Sequence, residues 1–254
     1  MIAQIIVSVF LLQNPDSVLN RIGIDQKIGA PVDLNITFHD EYGQTVRLGD
    51  YLTTKPVILT PVYYECPMLC SMLLNGLVKT LHVLPFTAGK EFEIVTYSID
   101  PNEKPDLARD KKQHYVRDYG RSGAAAGWHF LTGDSESIHA LSEEIGFRYT
   151  YDPYTKQWAH TSGIVVLTPG GVISQYFYGI EFDPSDLRLS LVQASNEKLG
   201  SITDHVLLYC FQYNPTTGKY SLAIMRVMRA AAVATILLVA GFIFIESRKK
   251  RFAL

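Results

Sequence analysis

The sequence predicts an α/β fold with a mixed sheet, followed by one C-terminal transmembrane helix. Two short apolar runs rich in β-branched residues, 56–64 and 92–99, enclose a stretch of helical spacing at 69–81. This order is typical of a strand–helix–strand unit with two parallel strands. Thr-Pro-Gly-Gly at 168–171 joins two later apolar runs as a hairpin turn, so those strands are antiparallel and the sheet is mixed. Residues 230–245 carry no charge and, with neighbouring apolar residues, approach the ~20 residues that a bilayer-spanning helix needs.

The composition is that of a globular or membrane-attached protein. The 254 residues are 47% hydrophobic and 19% charged, enough for one core of ordinary size plus appendages. The formal net charge is −2 and no basic stripe accompanies it, which argues against a nucleic-acid partner. Three cysteines are too few for a disulfide scaffold. Cys66 and Cys70 are therefore interpreted as functional, and Cys210 as a leftover thiol.

The N-terminal part of the chain divides into a hydrophobic segment, a connector and the start of a domain. Residues 1–13 resemble the apolar region of an export signal, although no Lys or Arg precedes it and no clear cleavage site follows. A truncated gene start and a short uncleaved anchor are the alternatives. Residues 14–28 form a polar connector. The domain, predicted over 29–199, opens with a hairpin whose first strand alternates over 34–38 and whose turn is Glu41-Tyr-Gly-Gln44.

The remaining elements of the domain follow from periodicity and capping residues. Amphipathic helices are predicted over 104–119 and 135–145, with a short strand at 128–131 between them. Asp134 or Ser135 caps the second of these helices. The antiparallel strands span 163–167 and 172–178, and a helix over 186–199 closes the domain.

Two cysteines stand where the first parallel strand ends and a helix begins. If the helix starts near Pro67, Cys66 lies at or just before its first residue and Cys70 one turn on, on the same face. A helix N-terminus lowers the pKa of a thiol and so favours redox exchange or soft-metal ligation. Two thiolates on one face could hold copper or zinc with one or two further ligands. The alternative, two small core residues, is disfavoured because the spacing and the strand-to-helix position coincide.

Three motifs resemble one known family. They are Tyr63-Tyr-Glu-Cys66-Pro67-Met-Leu-Cys70, Ser98-Ile-Asp100-Pro101 and Trp158-Ala-His160-Thr-Ser-Gly-Ile-Val-Val. Their order and spacing, over roughly 28–199, are similar to those of the Sco/SenC family of membrane-tethered copper proteins. The resemblance implies a thioredoxin-like fold with Cys66, Cys70 and His160 as copper ligands. Two departures are Ser71, where many members carry Pro, and an anchor at the C-terminus instead of the N-terminus.

The position of His160 agrees with this ligand set. In α/β sheets functional residues gather at the carboxyl ends of the parallel strands, where Cys66 lies. An antiparallel strand begins at that same edge, and His160 immediately precedes the one at 163–167, so it is predicted to face the cysteines. Asp100 follows the second parallel strand and either orients a ligand or partner or forms a turn before Pro101. Tyr63, Tyr64 and Glu65 are expected to line the site, whereas His39, His82, His114, His129 and His139 are interpreted as surface or packing residues.

The sequence of residues 200–254 predicts a membrane anchor. Residues 200–226 form a membrane-proximal extension with a strand at 206–213, and residues 227–246 are the predicted transmembrane helix. The basic tail, 247–254, outnumbers the positive charges on the other side, which places the C-terminus in the cytoplasm and the domain outside. Cys210 is expected to be buried; alternatively, Cys210 and His205 supply an accessory metal or partner contact near the membrane.

The expected function is that of a single-pass membrane protein whose periplasmic or extracytoplasmic domain delivers copper in cytochrome c oxidase assembly. Cysteine favours Cu(I) and one histidine permits Cu(II), so either oxidation state suits the site. The partner implied by the resemblance is the oxidase subunit that carries the copper site. The alternative is a thiol-disulfide reductase, with Cys66 and Cys70 catalytic, that keeps the cysteines of that subunit reduced. A peroxidase or redox sensor has less support, because no further cysteine stands in an evident resolving position.

Overall fold

The centre of the molecule is a mixed five-stranded sheet. A computed structural model describes residues 21–52, 54–195, 211–214, 219–222, 232–237 and 239. The strands of this sheet are β4 (Val57–Val62), β5 (Glu93–Ser98), β6 (Trp128–Leu131), β9 (Gly163–Leu167) and β10 (Ile173–Tyr178). Their order in the sheet is β10-β9-β4-β5-β6, in which β4, β5 and β6 are parallel and β9 is antiparallel to both β4 and β10. The predicted mixed α/β sheet is confirmed.

The inner strands are apolar because both faces of the sheet are covered. Every residue of β4 and of β9 is buried, which agrees with their continuous apolar sequences. Thr60 of β4 and Thr96 of β5 satisfy one another, since their hydroxyls form a hydrogen bond of 2.6 Å inside the sheet. The helices that flank the sheet are α1 (Leu69–Val83), α2 (Pro105–Tyr119), α3 (Ala124–Gly127), α4 (Ser135–Glu144) and α5 (Pro184–Ala194).

Local signals fix the helix ends. The α2 helix has Pro105 in its first turn and ends before Gly120, whose φ of 64° suits a left-handed cap. The predicted cap of α4 is Asp134, whose carboxylate accepts the Ser137 amide at 2.7 Å. Gly76 lets α1 lie against the loop after β10, because a Cβ at this position would be 1.7 Å from the carbonyl oxygen of Ile180.

Two smaller sheets lie beside the central one. The predicted N-terminal hairpin is present, but its strands are shorter than expected: β2 is Thr37–His39 and β3 is Thr45–Arg47. The second small sheet was not predicted. Its strands are β1 (Gly23–Ile24), β7 (Phe147–Asp152) and β8 (Gln157–His160), in the order β1-β7-β8. They are only partly buried, so their sequences lack the continuous apolar pattern of the inner strands.

Residues 196–254 are described only in pieces. Strand β11 (Phe211–Asn214) pairs with β12 (Lys219–Leu222) in an antiparallel hairpin, which overlaps the end of the predicted strand at 206–213. Residues 232–237 are helical and exposed. Among the residues that the structure describes, no helix has the length and apolar character to cross a membrane. The N-terminal segment, most of the connector, Cys210, His205, most of the predicted transmembrane helix and the basic tail lie outside the described residues.

Candidate metal centre

Cys66 lies in the turn between β4 and α1. The helix begins at Leu69, two residues after Pro67, so the prediction that Cys66 borders the helix start is wrong by two residues. A turn intervenes, closed by the Cys66 amide, which donates to the carbonyl oxygen of Tyr63 at 3.3 Å. Cys70 lies in the first turn of α1, and its backbone amide donates to Cys66 Sγ at 3.3 Å. A backbone amide of the first helical turn thus donates to Cys66 Sγ, which favours the thiolate form of Cys66.

His160 closes the site from the other side. It is the last residue of β8, two residues before β9, and its Nε2 lies 3.1 Å from Cys70 Sγ. The prediction that His160 faces the cysteines is confirmed. Its Nδ1 lies 2.6 Å from the carbonyl oxygen of Thr161, and only an N–H can donate to that oxygen. This contact assigns the proton to Nδ1 and leaves Nε2 available as a ligand.

The three side chains form a compact donor set. The two sulfur atoms and one ring nitrogen all lie within 4.8 Å of one another, and Cys66, Cys70 and His160 are all buried. Both cysteines are free thiols. Two sulfurs and one imidazole suit copper in either oxidation state, because thiolate prefers Cu(I) and imidazole also binds Cu(II). The residues present therefore fit a copper ion, and Cys66, Cys70 and His160 would hold it.

The two thiols differ in proton affinity. The pKa of Cys66 is lowered to about 3, chiefly because the Cys70 side chain hydrogen-bonds its thiolate, with further help from the amides of Cys70 and Met68. The pKa of Cys70 is raised, because its hydrogen bond to Cys66 and its burial both favour the thiol. At neutral pH the pair therefore holds one thiolate, on Cys66, and one thiol, on Cys70.

A small cavity opens onto one side of the site. Its volume is about 240 Å³, and Cys66, His160, Tyr63, Met68 and Trp158 contribute to its wall. The Tyr63 ring packs edge-on against His160, with ring centroids 5.8 Å apart. Cys66 faces this cavity, whereas Cys70 lies behind it. A reagent or partner therefore reaches Cys66 first.

Glu103 supports the cysteine turn and was not predicted. This buried carboxylate accepts the amide of Tyr64 at 2.8 Å and that of Glu65 at 2.7 Å, immediately before Cys66. The Ser98 hydroxyl also donates to it, at 2.5 Å. Burial raises the pKa of Glu103. The sequence signal for this residue is its position: Glu103 follows the second parallel strand, at the edge of the sheet where the cysteines lie.

Of the other residues expected at the site, only Tyr63 lines it. Tyr64 points into the core, where its hydroxyl donates to the carbonyl oxygen of Leu131 at 2.7 Å. Glu65 lies in a separate surface depression with Asp100. The side chain of Asp100 accepts the Asn102 amide at 2.9 Å, so the turn-forming interpretation of this residue is the one the structure supports.

The other histidines within the described residues belong to surface or packing contacts, as predicted. His129 packs on Tyr51 with ring centroids 4.2 Å apart, and His114 lies 3.3 Å from Asp118. His160 is the histidine that joins the cysteines in the cluster of metal-ligating side chains.

The fold and the site define a class: a thioredoxin-like protein whose strand-to-helix turn carries two cysteines that meet a distant histidine. The SCO1/SenC family model matches residues 25–194, well over half of the chain. The chain belongs to the SCO1/SenC family, as the sequence motifs predicted. Comparison with curated proteins gave no match.

Several solved structures are similar to this chain. A candidate electron transfer protein from Aquifex aeolicus VF5 is 29% identical with a TM-score of 0.60, over 68% of this chain and 96% of that one. Arabidopsis thaliana ScoI, solved with copper bound, is 19% identical with a TM-score of 0.50, over 67% and 97% of the two chains. BsSco, described as a member of the Sco family of cytochrome c oxidase assembly proteins, is 23% identical with a TM-score of 0.49, over 68% and 100%. At 19% identity, the similarity to the Arabidopsis protein shows a shared fold and no more.

Proposed function

We propose that this protein binds one copper ion through Cys66, Cys70 and His160 and delivers it during cytochrome c oxidase assembly. The observation that carries the proposal is the cluster of two sulfurs and one imidazole nitrogen within 4.8 Å at the edge of the sheet. Family membership and the copper bound in Arabidopsis thaliana ScoI support copper as the cargo. The oxidase subunit with the copper site is the recipient that the sequence resemblance implies. The cavity beside Cys66 supports delivery, because a recipient's ligand can approach the metal there.

The protonation state of the site predicts how many protons are released when copper binds. Cys66 is already a thiolate at neutral pH, since its pKa is lowered to about 3, whereas Cys70 carries its proton. His160 keeps its proton on Nδ1, which donates to the carbonyl oxygen of Thr161, and Nε2 is therefore free to bind the ion. Binding Cu(I) should therefore release about one proton, the one on Cys70.

Copper titration of the reduced full-length chain tests the proposal. We expect one equivalent of copper to bind, with absorption bands from sulfur-to-Cu(II) charge transfer when the ion is oxidised. His160→Ala should mainly weaken Cu(II), because the thiolate pair that remains still suits Cu(I). Because even supporting residues of metal sites are worth about 10–100-fold in affinity, losing this ligand should cost Cu(II) at least about 100-fold. His139→Ala, at an exposed position, is the matched control.

Two outcomes contradict this assignment. If the wild-type chain takes up no copper, the proposed function is wrong. If His160→Ala changes the affinity for neither oxidation state, the third ligand is another residue and the assignment of His160 is wrong.

One observation favours a second function, thiol-disulfide reduction. A Cys66 thiolate beside a Cys70 thiol at a helix start could attack a substrate disulfide and form a mixed disulfide. Cys70 would then lose its proton and attack Cys66 Sγ, which breaks the mixed disulfide and forms a Cys66–Cys70 disulfide. The two substrate sulfurs would leave with the two electrons, one proton from Cys70 and one proton from water. Rapid reduction of protein disulfides that persists under copper chelation would favour this function. Its absence would leave copper delivery as the better account.

We further propose that residues 227–246 anchor the protein, with 247–254 in the cytoplasm and the domain on the periplasmic or extracytoplasmic side. The uncharged run and the basic residues after it support this topology. A membrane-impermeant maleimide should label Cys66 in intact, reduced spheroplasts, because this thiolate faces a surface cavity. Cys210 should react only after denaturation. Labelling of Cys66 solely after membrane disruption would show the opposite orientation.

A further inference from the structure

Two methionines flank the thiols, and both are unusually exposed. Met68 lies between Cys66 and Cys70 and is 66% exposed, and Met72 follows one turn later and is 43% exposed. The chain has five methionines, and these two are the ones that lie within the described residues. Thioether sulfur is a soft donor that suits Cu(I), so two exposed methionines beside a candidate copper site can meet an incoming ion.

Met68 lies on the approach to the site, because it lines the same cavity as Cys66 and His160. The Met72 amide donates to the carbonyl oxygen of Met68 at 3.0 Å, so Met72 follows one helical turn later. Met68 is therefore the thioether at the cavity, and Met72 is the next exposed thioether along the chain.

The three candidate ligands themselves are poorly accessible. Cys70 is 2% exposed, and Cys66 and His160 are each 8% exposed. An ion held there cannot meet a partner's ligands directly without an opening, and the cavity beside Met68 is that opening. Ligand exchange at Cu(I) is easiest when a new donor can bind before an old one leaves. An exposed thioether is such a donor, since methionine sulfur is soft, flexible and uncharged.

We propose that Met68, extended by Met72, is an exposed thioether site that takes up Cu(I) first and passes it to Cys66. A lone pair of the Met68 sulfur forms a bond to Cu(I) while one bond between the ion and its previous carrier breaks, and the Cys66 thiolate then displaces the carrier's remaining ligand. The Met68–Cu(I) bond breaks as Cys70, which gives its proton to water, and His160 complete the site. Copper stays Cu(I) throughout, and the thioether neither gains nor loses a proton. Export runs through the same contacts in reverse. This inference rests on the proposed copper function and concerns the rate of transfer, not the resting ligand set.

The test is the rate of Cu(I) exchange between the full-length chain and a chromophoric Cu(I) chelator, followed anaerobically by stopped flow. We expect Met68→Leu to slow exchange in both directions by at least about tenfold, because it removes an interaction needed only during transfer. The equilibrium Cu(I) affinity should stay within about twofold, because Cys66, Cys70 and His160 are unchanged. Met72→Leu should slow exchange less. Leucine keeps the apolar volume, so a role in packing alone predicts no change in these rates.

Two further measurements make the test specific. Met68→His replaces one copper-binding side chain by another and should restore most of the exchange rate, which a packing role does not predict. In NMR spectra of the chain labelled with ¹³C-methyl methionine, the methyl resonance of Met68 is the one that is absent from Met68→Leu. Cu(I) added beyond one equivalent should shift this resonance. Wild-type exchange rates in Met68→Leu, with normal copper stoichiometry, would overturn this inference and leave the proposed function intact. Absence of copper binding in the wild type would instead overturn the proposed function.

Discussion

Replacing Cys66 by alanine is expected to abolish stoichiometric copper binding. The wild-type site offers two sulfurs and one nitrogen within 4.8 Å, and the variant retains only Cys70 and His160. The loss also removes the thiolate that exists at neutral pH, because the pKa lowered to about 3 belongs to Cys66. Since even supporting residues of metal sites are worth about 10–100-fold, loss of a ligand should weaken Cu(I) by more than about 100-fold. Competition against a Cu(I) chelator measures the change.

Cys70→Ala should have an effect of similar size but a different signature. Cys70 provides the hydrogen bond that lowers the pKa of Cys66 most, so this pKa should rise in the variant. Alkylation of Cys66 below pH 7 should therefore slow in Cys70→Ala, as less of the thiol is ionised. Ser71→Ala, beside the pair, is the matched control and should leave copper stoichiometry unchanged. Normal copper stoichiometry in either cysteine variant would refute the assignment of the site.

The second large effect is expected for Glu103→Ala, on stability and on the site together. The change leaves the buried amide of Tyr64 and that of its neighbour Glu65 without an acceptor. Each buried donor without a partner costs about 1–3 kcal/mol, so the free energy of unfolding should fall by about 3 kcal/mol. The turn that holds Cys66 also loosens, so copper affinity should fall by about 10–100-fold. Chemical denaturation and chelator competition measure the two effects.

The ionisation of Glu103 gives this prediction a pH dependence. Burial raises the pKa of Glu103 above its ordinary value of 4.5, so the folded chain binds this proton more tightly than the unfolded chain. The contribution to stability is therefore complete below pH 4.5 and is lost as the pH rises through the folded pKa. Glu103→Gln lacks this titration and should show a flatter stability profile. Glu181→Ala, with an exposed carboxylate, is the control and should change stability by less than about 0.5 kcal/mol. An unchanged unfolding free energy in Glu103→Ala would contradict the proposed support of the turn.

The sequence by itself determined the elements whose signals are local. Strands β4, β5, β6 and β9 are buried on both faces, and their continuous apolar runs predicted them within a residue or two. The cap at Asp134 and the hairpin turn between β9 and β10 were also local signals. The cysteines could be placed at the sheet edge because strand direction follows from the order of the elements, and the same reasoning placed His160 beside them.

Only the tertiary structure decided what depends on neighbours distant in the chain. The β7–β8 hairpin that carries His160 is half-exposed, and its pairing depends on contacts that periodicity does not encode. Glu103 meets the cysteine turn across 39 residues, because two parallel strands end side by side there. Which cysteine holds the thiolate depends on burial and on the hydrogen bonds around each sulfur, so two residues of one type acquire opposite pKa shifts. The exposure of Met72 depends on which face of α1 packs against the core, and Met68 precedes the first residue of that helix.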